Sequence, residues 1–341
     1  MGSAHLQWAV AGGFAGWAAA RLAGADDLRP VAAGAVPALS FTPHAAAGAW
    51  LAAVLLRGTG PSGTAAVAGA ALTVAISRRA IPSRQPPADG PTLRVLTANL
   101  LAGRAAAAHV VGLVRRTRAD VLLLQELTDD AVTQLKLAGL GELLPNELTD
   151  VRANTTCGSG IYARYPLSGG LALAPTANAQ PTARLDLPSG RPVQLVCVHL
   201  RPPSPPWRGA VADWRHELSV LPPSGDPLVI LAGDFNSSLD HAHFRRLLRS
   251  GYADAASQAG VGLVPTWGPE PRGRPALLTI DHILVDRRCA VRGATVYRLP
   301  GSDHRAVYAQ LRLPFLCGLL CSSVGAEGAP VDVAARIVGV L

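Results

Sequence analysis

Acidic, amide and histidine side chains recur in six short motifs across the last two-thirds of the chain: Thr97-Ala98-Asn99, Leu124-Gln125-Glu126, Val198-His199-Leu200, Gly233-Asp234-Phe235-Asn236, Ile280-Asp281-His282 and Ser302-Asp303-His304. Almost all end or precede a β-branched or leucine-rich run, where strand ends can hold reactive groups on a rigid scaffold. Hard divalent cations such as Mg²⁺ take carboxylate and amide oxygens, and keep several waters when only one or two carboxylates bind them. Glu126 closes a buried apolar run and is the leading ligand, because a buried glutamate is costly unless paired or metal-bound. Asn99 and Asp303 are auxiliary ligands. Asp234 is suited to orienting or deprotonating an attacking water, and Asn236 to donating to a non-bridging phosphate oxygen. His304 suits charge stabilisation on a pentacoordinate phosphorane or acid/base work, with Asp281 fixing its tautomer. His199 and Trp267 complete the set as phosphate or substrate contacts. Singly, each motif has a plain structural reading: Glu126 as a helix-start acid, Gly233–Asn236 as an Asx turn, His304 as a satisfied surface histidine. Together they describe one metal-assisted centre for hydrolysing phosphate esters.

The elements that must position these groups can be read from periodicity. Strands are expected at Arg94–Asn99, Asp120–Gln125, Ser159–Ala163, Ala183–Leu187, Val193–His199, Leu228–Ala232, Ile283–Val285 and Ala306–Leu313. Helical spacing covers Ala105–Arg118, with Val110, Leu113 and Val114 on one side and arginines behind, and Thr128–Leu140, which Thr128 can cap. Two further helices are expected at Val211–Leu221 and His241–Arg249. Strands outnumber helices and several are hairpin-spaced, as at Leu187–Arg191, which favours paired mixed sheets flanked by helices over a doubly wound parallel sheet.

The first 77 residues differ in kind. Apolar stretches run over 6–23, 31–56 and 63–77, and a bilayer span needs about 17–25 apolar residues. Pro37 and Pro43 are expected to kink the second stretch rather than end it. No basic segment precedes the first stretch, so a cleaved leader fits it poorly. The expected organisation is a membrane anchor over 1–77, a Pro- and Arg-rich linker over 78–92, a catalytic domain over 93–314 and a tail over 315–341 without a functional reading. The anchor would hold two or three helices. The rival is a buried helical hairpin of a soluble domain.

Mean hydropathy is +0.25, and the excess apolar character lies in that N-terminal region. The net charge is +8, carried by arginine, with Lys136 the only lysine; six arginines against three aspartates put part of it in residues 1–90. Such a surface suits an anionic substrate; the plain alternative is an arginine-for-lysine composition bias with solvated charges. Five cysteines form no CxxC pair, which removes a zinc-ribbon or thioredoxin-like reading. Cys197 sits inside a strand-like run and reads as a small buried hydrophobe; Cys317 and Cys321 could share a helix face.

From Leu93 to Leu313 the motifs, in order, resemble the endonuclease/exonuclease/phosphatase superfamily, which includes DNase I-like nucleases, sphingomyelinases and inositol-phosphate 5-phosphatases. Gly158–Ile161 followed by Ala163-Arg164-Tyr165-Pro166-Leu167 looks like that family's glycine–strand–SRYPL segment, with alanine for the usual serine. The resemblance implies a four-layer α-β-β-α sandwich of two mixed sheets, Asn99 and Glu126 at the metal, and His199 at the first half-site. It further implies Asp234 activating water, Asn236 on phosphate, Asp281 behind the catalytic histidine, and Asp303 and His304 as the terminal pair. The implied cofactor is Mg²⁺, with Mn²⁺ or Ca²⁺ as substitutes.

Substrate lies outside the motifs. Arg201, Arg208, Arg215, Arg245, Arg246 and Arg249, interleaved with Trp207 and Trp214, favour nucleic acid. A membrane-anchored nuclease is therefore the first expectation. A sphingomyelinase-like or phosphoinositide phosphatase acting on head groups at the bilayer is the alternative, and no obligate protein partner is inferred. Arg78, Arg79 and Arg84 after the last apolar stretch point to a cytosolic catalytic domain by the positive-inside tendency. Similarity to membrane-anchored relatives points outward, and the extracytoplasmic side is the expectation.

Overall fold

A computed structural model describes residues 2–28, 32–151, 155, 157–203, 209–268 and 275–315. Trp207, Arg208, Cys317 and Cys321, and the tail from 316 onward, lie outside those residues.

Two six-stranded mixed sheets stack face to face. The first has the order β11-β12-β1-β2-β4-β3, built from β1 (Thr92–Asn99), β2 (Val121–Leu127), β3 (Asn146–Asp150), β4 (Gly158–Ala163), β11 (Ala290–Arg298) and β12 (Arg305–Arg312). The second has the order β5-β6-β7-β8-β10-β9, built from β5 (Leu167–Gly169), β6 (Thr182–Asp186), β7 (Pro192–His199), β8 (Leu228–Asp234), β9 (Tyr252–Asp254) and β10 (Asp281–Asp286). The central strands are apolar on both faces, and their period of two divides them between layers. Val95, Val121, Leu195 and Ile230 fill the space between the sheets. Leu96, Leu122 and Leu124 face α5 (Ala107–Thr117), α6 (Asp129–Leu137) and α7 (Leu140–Leu143), while Val196, Val198 and Leu231 face α8 (Ala210–Ser219) and α9 (Ala242–Arg249). Thr128 caps α6 by accepting from the Ala131 amide at 3.2 Å. The edge strands β3, β5, β9 and β11 escaped sequence reading because they are short or weakly alternating, as the partly exposed β11 illustrates.

The N-terminal region contains α1 (Gly2–Ala23), a 3-10 turn at Ala25–Asp27, α2 (Ala32–Leu39), α3 (Thr42–Leu55) and α4 (Gly60–Ser77). Helices α1, α3 and α4 form a bundle in which Gly48 admits Phe14, Gly60 admits Trp8 and Gly69 admits Trp50. The second apolar stretch is not one kinked helix: it ends at Leu39 and restarts at Thr42, with α2 and α3 bent by 78°. Pro43 sits in the first turn of α3, where its missing N–H is an orphan donor anyway, so it starts a helix instead of bending one. Ala32 and Val36 of α2 pack into the outer core of the second sheet beside Trp214, Phe235 and Phe244, so this short helix packs with the sandwich. Among the described residues α4 alone is long and apolar enough to cross a bilayer, and the α2–α3 pair meets that standard only taken together. Most of the exposed large apolar side chains nonetheless lie in this region, among them Leu6, Trp8, Trp50, Leu51, Val54 and Val67.

Candidate active site

Pairing brings the six motifs to one end of the sandwich. Strands β1 and β2 run parallel, as do β7 and β8, so Asn99, Glu126, His199 and Asp234 stand at C-terminal ends on the same side. Strand β10 runs antiparallel to β8 and begins there with Asp281. His199, Asp234 and Asp281 are direct cross-strand neighbours in register. Ser302-Asp303-His304 enters β12 at the same end, and the Ser302 hydroxyl donates to the Asn99 carbonyl at 2.8 Å.

On the first-sheet side, a bulge between Gln125 and Leu127 coincides with Glu126 at φ 53°, a left-handed conformation costly for glutamate. The strain turns the carboxylate into the cleft. Its Oε2 accepts from the Ala102 amide at 2.7 Å and its Oε1 from Asn99 Nδ2 at 3.0 Å. Asn99 Nδ2 also donates to Asp234 Oδ2 at 3.1 Å, and Asn99 Oδ1 accepts from the Leu101 amide at 2.9 Å. One buried amide therefore ties the two half-sites together.

On the second-sheet side, Gly233 has φ 149°, and a Cβ there would lie 1.9 Å from the Val198 carbonyl oxygen. Only glycine lets β8 approach β7 so closely just before Asp234. Asn236, at φ 46°, donates its backbone N–H to Asp234 Oδ1 at 2.8 Å and its amide to the Leu200 carbonyl at 2.8 Å and Asp234 Oδ2 at 3.3 Å. Its first task is thus to fix Asp234, a role the sequence alone does not reveal. Burial, opposed by His304 and reinforced by Asp281, pushes the Asp234 carboxyl up to about 7.

His304 Nδ1 lies 3.0 Å from both oxygens of Asp281. Its Nε2 lies 3.7 Å from Asp234 and 3.9 Å from Asp303. Burial works against the charged imidazole, but the carboxylates of Asp281, Asp234 and Asp303 outweigh it and raise His304 to about 10. At neutral pH it is an imidazolium, a charged donor and not a base. Asp281 is held by Thr266, whose hydroxyl accepts the Ile280 and Asp281 amides at 3.0 and 3.1 Å. Burial, with the nearby positive His304, lowers His199 to about 3, so it stays neutral, and its Nδ1 has no partner among the described residues.

Asp303 Oδ2 accepts from Trp267 Nε1 at 3.0 Å, while its buried Oδ1, 3.9 Å from His304 Nε2, has no hydrogen-bond partner among the described residues. Trp267 is half-buried and braces Asp303 at the rim. The donor set fits a divalent cation: Asp234, Asp281 and Asp303 gather around one imidazolium, Glu126 acts on Asp234 from the other half-site, and a buried Asp303 oxygen lacks a hydrogen-bond donor among the described residues. Ligand atoms of Asp234, Asp281 and His304 also lie within 4.8 Å of one another. Asp281 is committed there to His304 Nδ1, and a charged imidazolium offers no lone pair, so the Glu126, Asn99 and Asp303 side suits the metal better.

Among the described residues, Trp214 and four of the arginines expected to bind nucleic acid are engaged by other groups of the protein. Trp214 is fully buried and donates to Ser237 Oγ at 2.9 Å. Arg201 pairs with Asp213 at 3.0 Å and Arg246 with Asp27 at 2.6 Å, while Arg215 donates to the Asp26 carbonyl and Arg245 to the Asp240 carbonyl. Arg201 and Arg246 are thus charge-paired, and Arg215 and Arg245 are tied to backbone carbonyls, which spacing alone cannot reveal. Sequence reading also missed Thr266, the bridge from Gln125 Nε2 to Thr97 and Cys197, and the buried His282, whose Nδ1 meets Asp254 and whose Nε2 meets the Ser237 carbonyl, each at 2.9 Å. His282 stood beside Asp281 in a visible motif; Thr266 carried no signal.

The endonuclease/exonuclease/phosphatase family model matches residues 96–304. An endonuclease/exonuclease/phosphatase from Beutenbergia cavernae DSM 12333 is 19% identical over 65% of this chain and 72% of its own, with a TM-score of 0.50. D. rerio TDP2 complexed with single strand DNA product is 19% identical over 64% of this chain and 98% of its own, with a TM-score of 0.50. Sphingomyelinase C from Streptomyces griseocarneus is 16% identical over 64% of this chain and 99% of its own, with a TM-score of 0.45. No curated protein matches the chain.

Proposed function

Because the chain belongs to the endonuclease/exonuclease/phosphatase family, we propose that it is a divalent-metal-dependent phosphodiester hydrolase working at a membrane surface. The observation that carries the chemistry is the pairing of a charged His304–Asp281 dyad with an Asp234 carboxyl near 7. Asp234 is tuned to take a proton from water near neutral pH, and His304 faces it as a fixed positive donor for charge growing on the phosphorane. Asn99 keeps the two half-sites at fixed separation. The 3.3 Å contact from Asn236 to Asp234 is the one a non-bridging phosphate oxygen would replace. Glu126, with Asn99 and Asp303, would hold the cation, Mg²⁺ by the oxygen donor set, and a bound cation polarises the phosphoryl group. His199, neutral and with an open Nδ1, is a second phosphate contact, and Trp267 shapes the rim through Asp303.

The exposed large apolar side chains of α1, α3 and α4 support the membrane reading, since such side chains gathered on neighbouring helices mark a partner surface or a bilayer. Helices of 22, 14 and 18 residues would reach roughly 33, 21 and 27 Å at about 1.5 Å per residue. Arg79, one of the residues favouring a cytosolic placement, is paired with a buried aspartate, which weakens that argument and leaves the extracytoplasmic side as our reading. The burial of Trp214, the carbonyl bonds of Arg215 and Arg245 and the pairing of Arg246 with Asp27 favour a membrane head-group diester over nucleic acid.

The test uses purified full-length protein in detergent with Mg²⁺, offered bis(p-nitrophenyl) phosphate, single-stranded DNA and phospholipid vesicles. Cleavage should vanish with EDTA and in His304→Ala, and the vesicle substrate should turn over fastest. Metal-independent cleavage, or full activity in His304→Ala, would refute the mechanism; DNA as the best substrate would restore the nuclease reading.

A further inference from the structure

The loop that leaves the active site after Asp234 is held from two sides. Its first half is gripped by the catalytic domain: the Phe235 amide donates to the Ile280 carbonyl, and Ser237 is held by Trp214 and His282. Its second half is gripped mainly by the N-terminal region. Asp240, with no exposed surface, takes Arg79 as a two-point pair at 2.6 and 2.7 Å and Arg21 at 2.5 Å. Arg21 also donates to the Leu239 carbonyl at 3.3 Å. The buried His241 places Nε2 2.8 Å from the Val36 carbonyl and 3.2 Å from Ser40 Oγ, and the Asp26 carboxylate accepts the Ala242 amide at 2.6 Å. Arg21 is in the last turn of α1 and Arg79 follows α4, so two bundle helices end on one aspartate six residues beyond Asp234.

A tether would need only a linker. Here four successive loop residues are each held by the segment of the chain that a soluble catalytic domain would lack. Buried arginine–carboxylate contacts of this kind leave an uncompensated charge when one partner goes, so they hold geometry stiffly. We infer that the N-terminal helices are part of the catalytic unit: Asp240 is a positioning residue through which Arg21 and Arg79 set the loop that carries Asn236 and thereby orients Asp234. The inference rests on the hydrolase reading for its kinetic arm but not for its structural arm.

The test compares full-length wild type, Arg79→Gln and Arg79→Lys in detergent, using bis(p-nitrophenyl) phosphate with Mg²⁺ and amide hydrogen exchange. Arg79→Gln leaves Arg21 on Asp240, so the chain keeps a partner for the buried carboxylate. Its kcat is expected to fall about 10- to 100-fold with KM within about twofold, the scale for a misplaced but intact constellation. Amides of Ser238–Ala242 should exchange at least about tenfold faster while those of β1 and β2 keep their protection. Arg79→Lys retains the charge without the two-point grip and should fall between, in kcat and in exchange alike. If Arg79→Gln folds poorly, Arg79→Lys alone decides by the same two readouts. Unchanged loop exchange, a kcat within twofold of wild type, or a fall in kcat without faster loop exchange would overturn the inference. Should wild type hydrolyse none of the probes, the hydrolase reading fails separately, and the loop's exchange in Arg79→Gln still decides whether the helices set it.

Discussion

Replacing Asp281 with asparagine should change the charge of His304 while leaving the packing nearly isosteric. His304 stands at about 10 because three carboxylates outweigh its burial, and Asp281 is the largest raising cause. At 3.0 Å and an effective dielectric constant of about 20, one such charge contributes at most about 5 kcal/mol, or about 4 pH units. Asp234 and Asp303 remain at 3.7 and 3.9 Å, so the expected fall is about 2–4 units, to between about 6 and 8. The consequence for stability has a definite sign. A histidine whose folded pKa is raised stabilises the protein fully below its unfolded value of about 6.5, and that contribution is lost as pH rises through about 10. Asp281→Asn should therefore be less stable than wild type by about 3–5 kcal/mol at pH 6. The gap should narrow toward pH 10, where wild-type His304 also becomes neutral. Side-chain nitrogen NMR of His304 in EDTA gives the pKa directly, and denaturant unfolding at pH 6 and pH 9.5 gives the linkage. A His304 pKa within half a unit of wild type, or equal destabilisation at both pH values, would refute the reasoning.

Three further outcomes are expected. Glu126→Gln should keep the fold but weaken Mg²⁺ binding at least about tenfold in calorimetric titration, since an amide cannot supply the anionic charge a hard cation takes; unchanged affinity removes Glu126 from the metal. Gly233→Ala places a Cβ 1.9 Å from the Val198 carbonyl oxygen and should cost about 3 kcal/mol or more by denaturant unfolding, with loss of under 1 kcal/mol counting against the close β7–β8 approach. His304→Ala and Asp281→Ala should each lower kcat by about 10²–10⁴, and the double variant should be little worse than His304→Ala alone, because the aspartate acts through the imidazole; multiplying losses would dissolve the dyad.

Much of this architecture was legible because it is local. The runs Arg94–Asn99, Val193–His199 and Leu228–Ala232 declare buried strands by composition alone, and their polar ends name the active-site end of the sandwich before any pairing is known. Thr128 before Ala131 declares its cap in the same way. Pro43 is the instructive failure: a proline permits either a kink or a first helical turn, and only the burial of Val36 against Trp214 and Phe244 selects the break. The arginine and tryptophan stripe over 201–249 read as a nucleic-acid surface for a related reason, since a charge count does not say which charges are already paired.

The sequence by itself determined which residue types stand at strand ends and therefore what chemistry the chain can perform. Tertiary structure decided what those residues are. His304 is an imidazolium only because β8, β10 and the bend before β12 bring three carboxylates within 4 Å of one ring, and Asp234 is a poised carboxyl because the fold buries it beside Asp281. Asp240 looks like an ordinary turn aspartate until Arg21, 219 residues earlier, and Arg79 close over it. Backbone preference and apolar periodicity act between neighbours in the chain, so they survive in the one-dimensional record. Electrostatics and desolvation act between neighbours in space, and for these groups that neighbourhood is made only when the chain folds.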